Sequence, residues 1–200
     1  MSTLTVCRLR LDTSTYQTLR LAEPEALYAR FPRPFAGLSM AKKEGAFAPI
    51  GCLINEPERP AADFTALLPG MFVISQRVYD SSLYMAAMNL AAEVADVSVS
   101  GERRYAVNVV EIFNALDRNR SVLTRTNDGH IISVERYAFY AERIGAESAL
   151  FKLPETASYE ILAWGRSSDT GEEEWCNFPA VYRDCGFTGL QFDLLAEEED

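Results

Sequence analysis

A chain of 200 residues with 48% hydrophobic and 24% charged side chains is long enough to bury a sizeable core and too apolar to remain disordered. Its formal charge of −10 argues against binding a nucleic-acid backbone, which calls for clustered Lys and Arg. No stretch approaches the roughly 18 consecutive apolar residues that a spanning helix needs, so no membrane partner is expected.

The opening MSTLTVCRLR lacks the basic-then-apolar order of a secretory signal, which predicts a cytoplasmic protein. In residues 3–11, Thr5, Cys7, Leu9 and Leu11 alternate with Val6, Arg8 and Arg10, predicting a half-buried strand placed near a sheet edge by its arginines. Pro24 suits the first turn of a short helix with Leu27 and Phe31 on one face, ended by Pro32 and Pro34. Residues 32–62 hold five of the nine prolines and three of the eleven glycines, the composition of a long loop or of short strands such as Ala48–Ile54.

Phe72, Val73 and Ile74 predict a short buried strand, and Ser75 the cap of a helix from about Gln76 to Leu90. Tyr79, Leu83, Ala86 or Ala87, and Leu90 recur at helical spacing, with Met85 and Met88 beside them as core filler. Val94, Val97 and Val99 follow, then a turn at Gly101-Glu102. In Arg104–Ser121 the first half is strand-like on both faces: Tyr105, Val107 and Val109 alternate with Ala106, Asn108 and Val110. Asp117 then leads into a polar corner, Arg118-Asn119-Arg120. Asn127-Asp128-Gly129 predicts the turn of a hairpin. His130, the one histidine, begins its returning strand as a structural or surface residue.

Tyr137–Ile144 fits a strand or a short helix, Leu150–Leu153 a short strand closed by Pro154, and Tyr159–Trp164 a further strand. Phe178, Val181, Tyr182 and Cys185 lie on one face of a short helix, with Pro179 in its first turn and Gly186 just past its end. Leu190, Phe192 and Leu194 alternate as a closing strand, and Ala196–Asp200 form an acidic, frayed tail. The pattern as a whole predicts an α+β fold with a mixed or mostly antiparallel sheet and a few short flanking helices. It is expected to form one domain over 1–200, or two lobes divided near residue 100, with 101–195 the second.

The four cysteines, Cys7, Cys52, Cys176 and Cys185, lack C-x-x-C spacing and are expected to be reduced core thiols rather than zinc ligands. Phosphate-cradling glycine motifs, the G-x-S-x-G elbow, H-E-x-x-H and EF-hand loops are absent. No catalytic residue, cofactor or metal site is expected. With 29 acidic residues, neighbouring carboxylates arise by chance, so a carboxylate-based enzyme stays open as an alternative.

Four stretches carry a family likeness in order. They are PGMFVISQRVYDSSL at Pro69–Leu83, YAVNVVEIFNALDRNRS at Tyr105–Ser121, SALFKL at Ser148–Leu153 and FPAVYRDCGFTGLQFDLL at Phe178–Leu195. Together they resemble immunity protein family 11 of bacterial polymorphic toxin systems: a strand with a Ser-capped helix, a tyrosine-to-"NV" strand with its "alD" corner and following serine, an "iFrl" strand, and a final helix with a "G-x-T/K-G" turn. The resemblance spans about residues 65–195 and implies a protein that binds and silences a cognate protein toxin without catalysis. The chain departs from the family in an acidic insertion, about Ser167–Trp175. Asp169, Glu172, Glu173, Glu174 and Trp175 are therefore the predicted partner-binding set, against the alternative of a solvated loop whose Trp folds back on the body. A basic toxin would suit the charge of −10. Mimicry of nucleic acid by an acidic stripe is the remaining alternative.

Overall fold

The computed structural model describes residues 2–30, 49–145, 148–156, 159–168 and 177–199. Its architecture is α+β, built on two sheets and a separate hairpin. The first sheet is antiparallel, in the order β10 (Leu150–Phe151), β11 (Leu162–Ser168), β1 (Ser2–Leu11), β12 (Leu190–Glu199). The second runs β2 (Leu19–Leu21), β3 (Ile50–Ile54), β6 (Ala92–Val99), β7 (Glu102–Val109), β5 (Met71–Ile74), β4 (Phe64–Leu68), and only β3 and β6 pair in parallel.

β1 is an interior strand of its sheet, which corrects the edge placement expected from its arginines. Leu4 and Val6 are fully buried, and each arginine finds an anion: Arg8 reaches Glu160 at 2.8 Å and Arg10 reaches Asp193 at 3.5 Å. A second correction concerns the acidic end. Ala196 to Glu199 pair with Val6 to Thr3 and continue β12, because the backbone ladder runs on regardless of the charge of the side chains. A register shift between Val6 and Cys7 absorbs one residue of β12.

β7 supplies the centre of the second sheet, and Tyr105 through Val109 are all buried. Tyr105, Val107 and Val109 enter the main core with Phe72 and Ile74. Ala106 joins a second core on the opposite face with Met71, Val73, Val97 and Leu27 of α1 (Pro24–Arg30). Burial on both faces explains why β-branched residues dominate this stretch. Phe31, Pro32, Pro34 and the rest of the irregular segment to Ala48 lie outside the described residues.

Ser75 caps α2 (Gln76–Tyr79) by accepting the Val78 N–H, but the helix ends at Asp80 rather than running on to Leu90. Ser81 returns its hydroxyl to the Val78 carbonyl at 2.5 Å, and one turn of π-helix follows at Tyr84–Met88. Leu83 and Ala87 are buried as the periodicity predicts, whereas Leu90 is 68% exposed beyond the break. Local serine hydroxyls compete for the backbone groups that a longer helix would use.

Between β7 and β10 lies the hairpin of β8 (Val122–Arg125) and β9 (Ile131–Arg136), turned by Gly129 at φ 89°. Tyr137–Ile144 then gives a bridge from Phe139 to Leu116 and a 3-10 turn, Ala141–Arg143. α3 (Phe178–Asp184) is capped by Asn177, has Pro179 in its first turn, and is followed by Gly186 at φ 60°. Its Tyr182 meets Phe64 of β4 at 5.5 Å and Phe192 of β12 at 5.2 Å between ring centres, so α3 wedges aromatic surface between the two sheets.

Asp63, just before β4, ties the sheets together. Its carboxylate accepts from Ser75 Oγ at 2.9 Å, Arg77 Nη1 at 3.0 Å, and Thr188 N and Oγ1 at 3.1 and 3.2 Å. Gly189 sits against the same strand at φ 100°, where a Cβ would collide with the Phe64 carbonyl oxygen and come within 2.8 Å of Ala62 Cβ. Gly189→Ala is expected to cost about 2–4 kcal/mol, from strain at a left-handed position plus separation of β12 from β4. Chemical denaturation checks it, and unchanged stability would show that the junction yields freely.

Candidate functional site

The predicted partner-binding residues Asp169, Glu172, Glu173, Glu174 and Trp175 all lie outside the described residues. Within the described chain, functional-type side chains converge instead around the corner that follows β7. Asp117, 5% exposed, folds this corner: its Oδ1 accepts the N–H groups of Asn119 at 3.0 Å and Arg120 at 3.3 Å. Ser121 Oγ accepts the Ala138 N–H at 3.1 Å and sits 3.3 Å from the Ala138 carbonyl oxygen, fastening the corner to the chain beyond the hairpin. Asp117 and Ser121 belong to the "alD" corner and following serine of the family-like stretch, and their work here is to fix a surface turn.

The corner sends two arginines in different directions. Arg120 pairs with Glu198 of β12 at 2.8 Å, and Arg118 grips Glu155 Oε1 through Nε at 2.8 Å and Nη2 at 2.7 Å. An open groove of about 550 Å³ lies on the Arg120 side, between Leu195–Glu198 of β12 and Arg136–Ala138. Glu198 also accepts the Phe139 N–H at 3.2 Å, and Arg136 donates to the Arg120 carbonyl at 3.4 Å. The groove is therefore lined by both carboxylates and guanidinium groups.

Tyr137, which lines this groove, belongs to a closed polar network. Its hydroxyl donates to Glu160 Oε2 at 2.7 Å and accepts from Arg8 Nη2 at 3.1 Å, while Arg8 also holds Glu160 Oε1. Burial, and next the hydrogen bond to the Glu160 carboxylate, push the Tyr137 hydroxyl well above its ordinary pKa. Tyr137 is thus a fixed neutral donor at physiological pH. Arg8, Tyr137 and Glu160 come from segments far apart in sequence, and no local spacing marks them as partners.

Cys7 and Cys52 are buried free thiols, Cys185 is a half-buried one rather than a core thiol, and Cys176 lies outside the described residues. Burial raises the pKa of Cys7 and pushes Cys52 up to about 11, which withholds the thiolate needed for nucleophilic chemistry. His130 is 81% exposed in its side chain, on the hairpin surface. Among the described residues, no group of three or more His, Cys, Asp or Glu side chains is arranged to hold a metal ion. None of the described helices is long and apolar enough to cross a membrane.

No protein-family model and no curated protein matches the chain. Its surface must therefore be judged by its own chemistry. That chemistry is a groove lined by arginines and carboxylates over a floor hydrogen-bonded within the chain.

Lys152 is the buried cation that the sequence did not signal. It is the only lysine among the described residues, it has 0% exposure, and its Nζ has no hydrogen-bond partner. The family-like stretch SALFKL reads as a strand, and the lysine is held there by its backbone, which bonds Glu111 O at 2.9 Å and Phe113 N at 3.0 Å. Burial lowers its pKa from 10.5 to about 8. Below pH 8 the ammonium is charged in both folded and unfolded chains and the folded state bears the whole desolvation penalty. As pH rises from 8 to 10.5 the folded state loses its proton first, and the penalty fades. Lys152→Met is accordingly expected to stabilise the fold by about 3 kcal/mol at pH 7, with the gain shrinking between pH 8 and 10.5. Denaturation of both proteins across that range checks it, and a pH-independent difference would contradict it.

Proposed function

We propose that the chain is a cytoplasmic immunity-type protein that binds and neutralises a cognate protein toxin, one to one and without turnover of a substrate. The observation that carries this reading is the division of labour at the Asp117–Ser121 corner. The family-like residues Asp117 and Ser121 are spent on fixing a turn, and the residues held by it, Arg118 and Arg120, line surface hollows. A shared frame that presents a mixed-charge surface is what a family of inhibitors with different targets requires.

The frame is also coherent in space. Ser75 and Arg77 of the first family-like stretch and Thr188 of the last meet on the Asp63 carboxylate. Neutralising a toxin at low concentration needs roughly −12 kcal/mol or better, which interfaces of about 1,600 Å² achieve with a few good anchors. The chain's charge of −10 would speed encounter with a basic target and select against acidic ones. The groove lined by Arg120, Arg136 and Tyr137 is one contact region in this proposal. The acidic set Asp169, Glu172, Glu173, Glu174 and Trp175 is the second.

The test is co-expression with the product of the adjacent reading frame, followed by co-purification. A stable equimolar complex and rescue of growth are expected. Arg136→Ala, at an exposed side chain, and alanine replacement of Glu172–Trp175 are each expected to weaken the complex at least tenfold. Continued cell death with no complex would refute the proposal, and unchanged affinity in both variants would remove these two contact regions from it.

A further inference from the structure

The second hollow beside the corner has a different chemistry. A pocket of about 330 Å³ lies between the hairpin and the turn after β10, lined by Arg118, Arg125, His130, Ile131, Pro154 and Glu155. That volume is at the small end of ligand pockets. Three of its side chains are basic, in a chain that carries 29 acidic residues against 19 Lys and Arg.

The two arginines are tethered before any ligand arrives. Glu155 has a side-chain exposure of only 2%, and its Oε1 takes two N–H groups of Arg118, fixing that guanidinium. Arg125 Nη1 donates to the Gly129 carbonyl at 3.1 Å, which anchors it at the hairpin turn and leaves its other donors uncommitted. Asp128, 72% exposed, lies 3.5 Å from His130 Nε2, and Arg125 has no carboxylate partner among the described residues. Glu155 and Arg118 cancel, so Arg125 is the one cation of the lining without a carboxylate partner, with the His130 ring and the exposed Asp128 near it.

We propose that this pocket binds a phosphoryl group, with Arg125 as its principal ligand, the remaining donor of the Glu155-held Arg118 beside it, and His130 closing the open side. Guanidinium forks match phosphoryl oxygens in shape and charge, and preordered forks lose little freedom on binding. Ile131 and Pro154 form an apolar wall that accommodates the esterified end of a small phosphate monoester. The protein's overall negative charge does not forbid this, because charges beyond a Debye length of about 8 Å are largely screened at physiological salt.

Inorganic phosphate, glycerol phosphate, acetate and chloride are titrated at constant ionic strength into the full-length protein, isotopically labelled for NMR. Saturable shifts are expected with the two phosphates at Gly129, His130 and the Arg125 side chain, and none with acetate or chloride. Arg125→Gln, at an exposed position, should weaken phosphate binding at least tenfold, with Arg125→Lys intermediate. Glycerol phosphate binding at least as tightly as inorganic phosphate assigns the site to a monoester, and its exclusion assigns it to free phosphate. Equal responses to acetate and phosphate, or undiminished phosphate binding by Arg125→Gln, would overturn the proposal.

Discussion

The Asp63 carboxylate is the interaction on which the arrangement of the two sheets rests. It is 12% exposed in its side chain, and at that burial a carboxylate is tolerated only when several donors replace its water. Four donors do so, from the cap of α2 and from the turn that leads into β12. Arg77 extends the tie by donating to the Cys185 carbonyl at 2.6 Å and stacking over Phe187 at 4.7 Å. Any shift of β12 relative to β4 must break charge-assisted bonds together with the aromatic packing of Phe64, Tyr182 and Phe192. The strand that leaves this junction at Leu190 forms a wall of the groove at its other end, so the junction also sets the position of the groove.

A half-buried cation and a fully buried one show how differently this fold treats charge. Arg8 is neutralised by Glu160 and braced by Tyr137, in a network where each member satisfies another. Lys152 has no partner among the described residues and no water-facing surface, and it is carried as a cost by a strand whose backbone bonds outweigh it. A closed network stiffens the groove floor, whereas an unpaired ammonium only lowers stability. The groove therefore inherits rigidity from groups that are chemically quiet.

Much of the frame was legible locally. Alternation marked β7, Asn127-Asp128-Gly129 marked the hairpin turn, Ser75 marked a helix start, and Gly186 marked a helix end, because each of these signals acts within a few residues. The failures share a cause. The arginines of β1 argued for an edge, but Arg8 answers to Glu160 and Arg10 to Asp193, partners that only the tertiary structure supplies. The helix that was to reach Leu90 is cut at Asp80 by hydroxyl competition that periodicity cannot express. The groove and the basic pocket were invisible for the same reason. Their residues come from β12, the Asp117 corner, the hairpin and the turn at Pro154, and no spacing rule links them.

The acidic end of β12 is instructive because the sequence points to a frayed tail and the fold makes it a strand edge. Among the described residues β12 is an edge strand, covered at its start where Tyr182 Oη bonds Leu190, and exposed strand edges invite pairing with a second copy. Antiparallel self-pairing near the Glu197–Glu198 end would bring the carboxylates of two chains together, and Arg120 neutralises only Glu198. Like charges opposed across a ladder are destabilising. The same carboxylates do not repel a strand that carries Lys or Arg. Charge at this edge therefore opposes self-pairing at its acidic end.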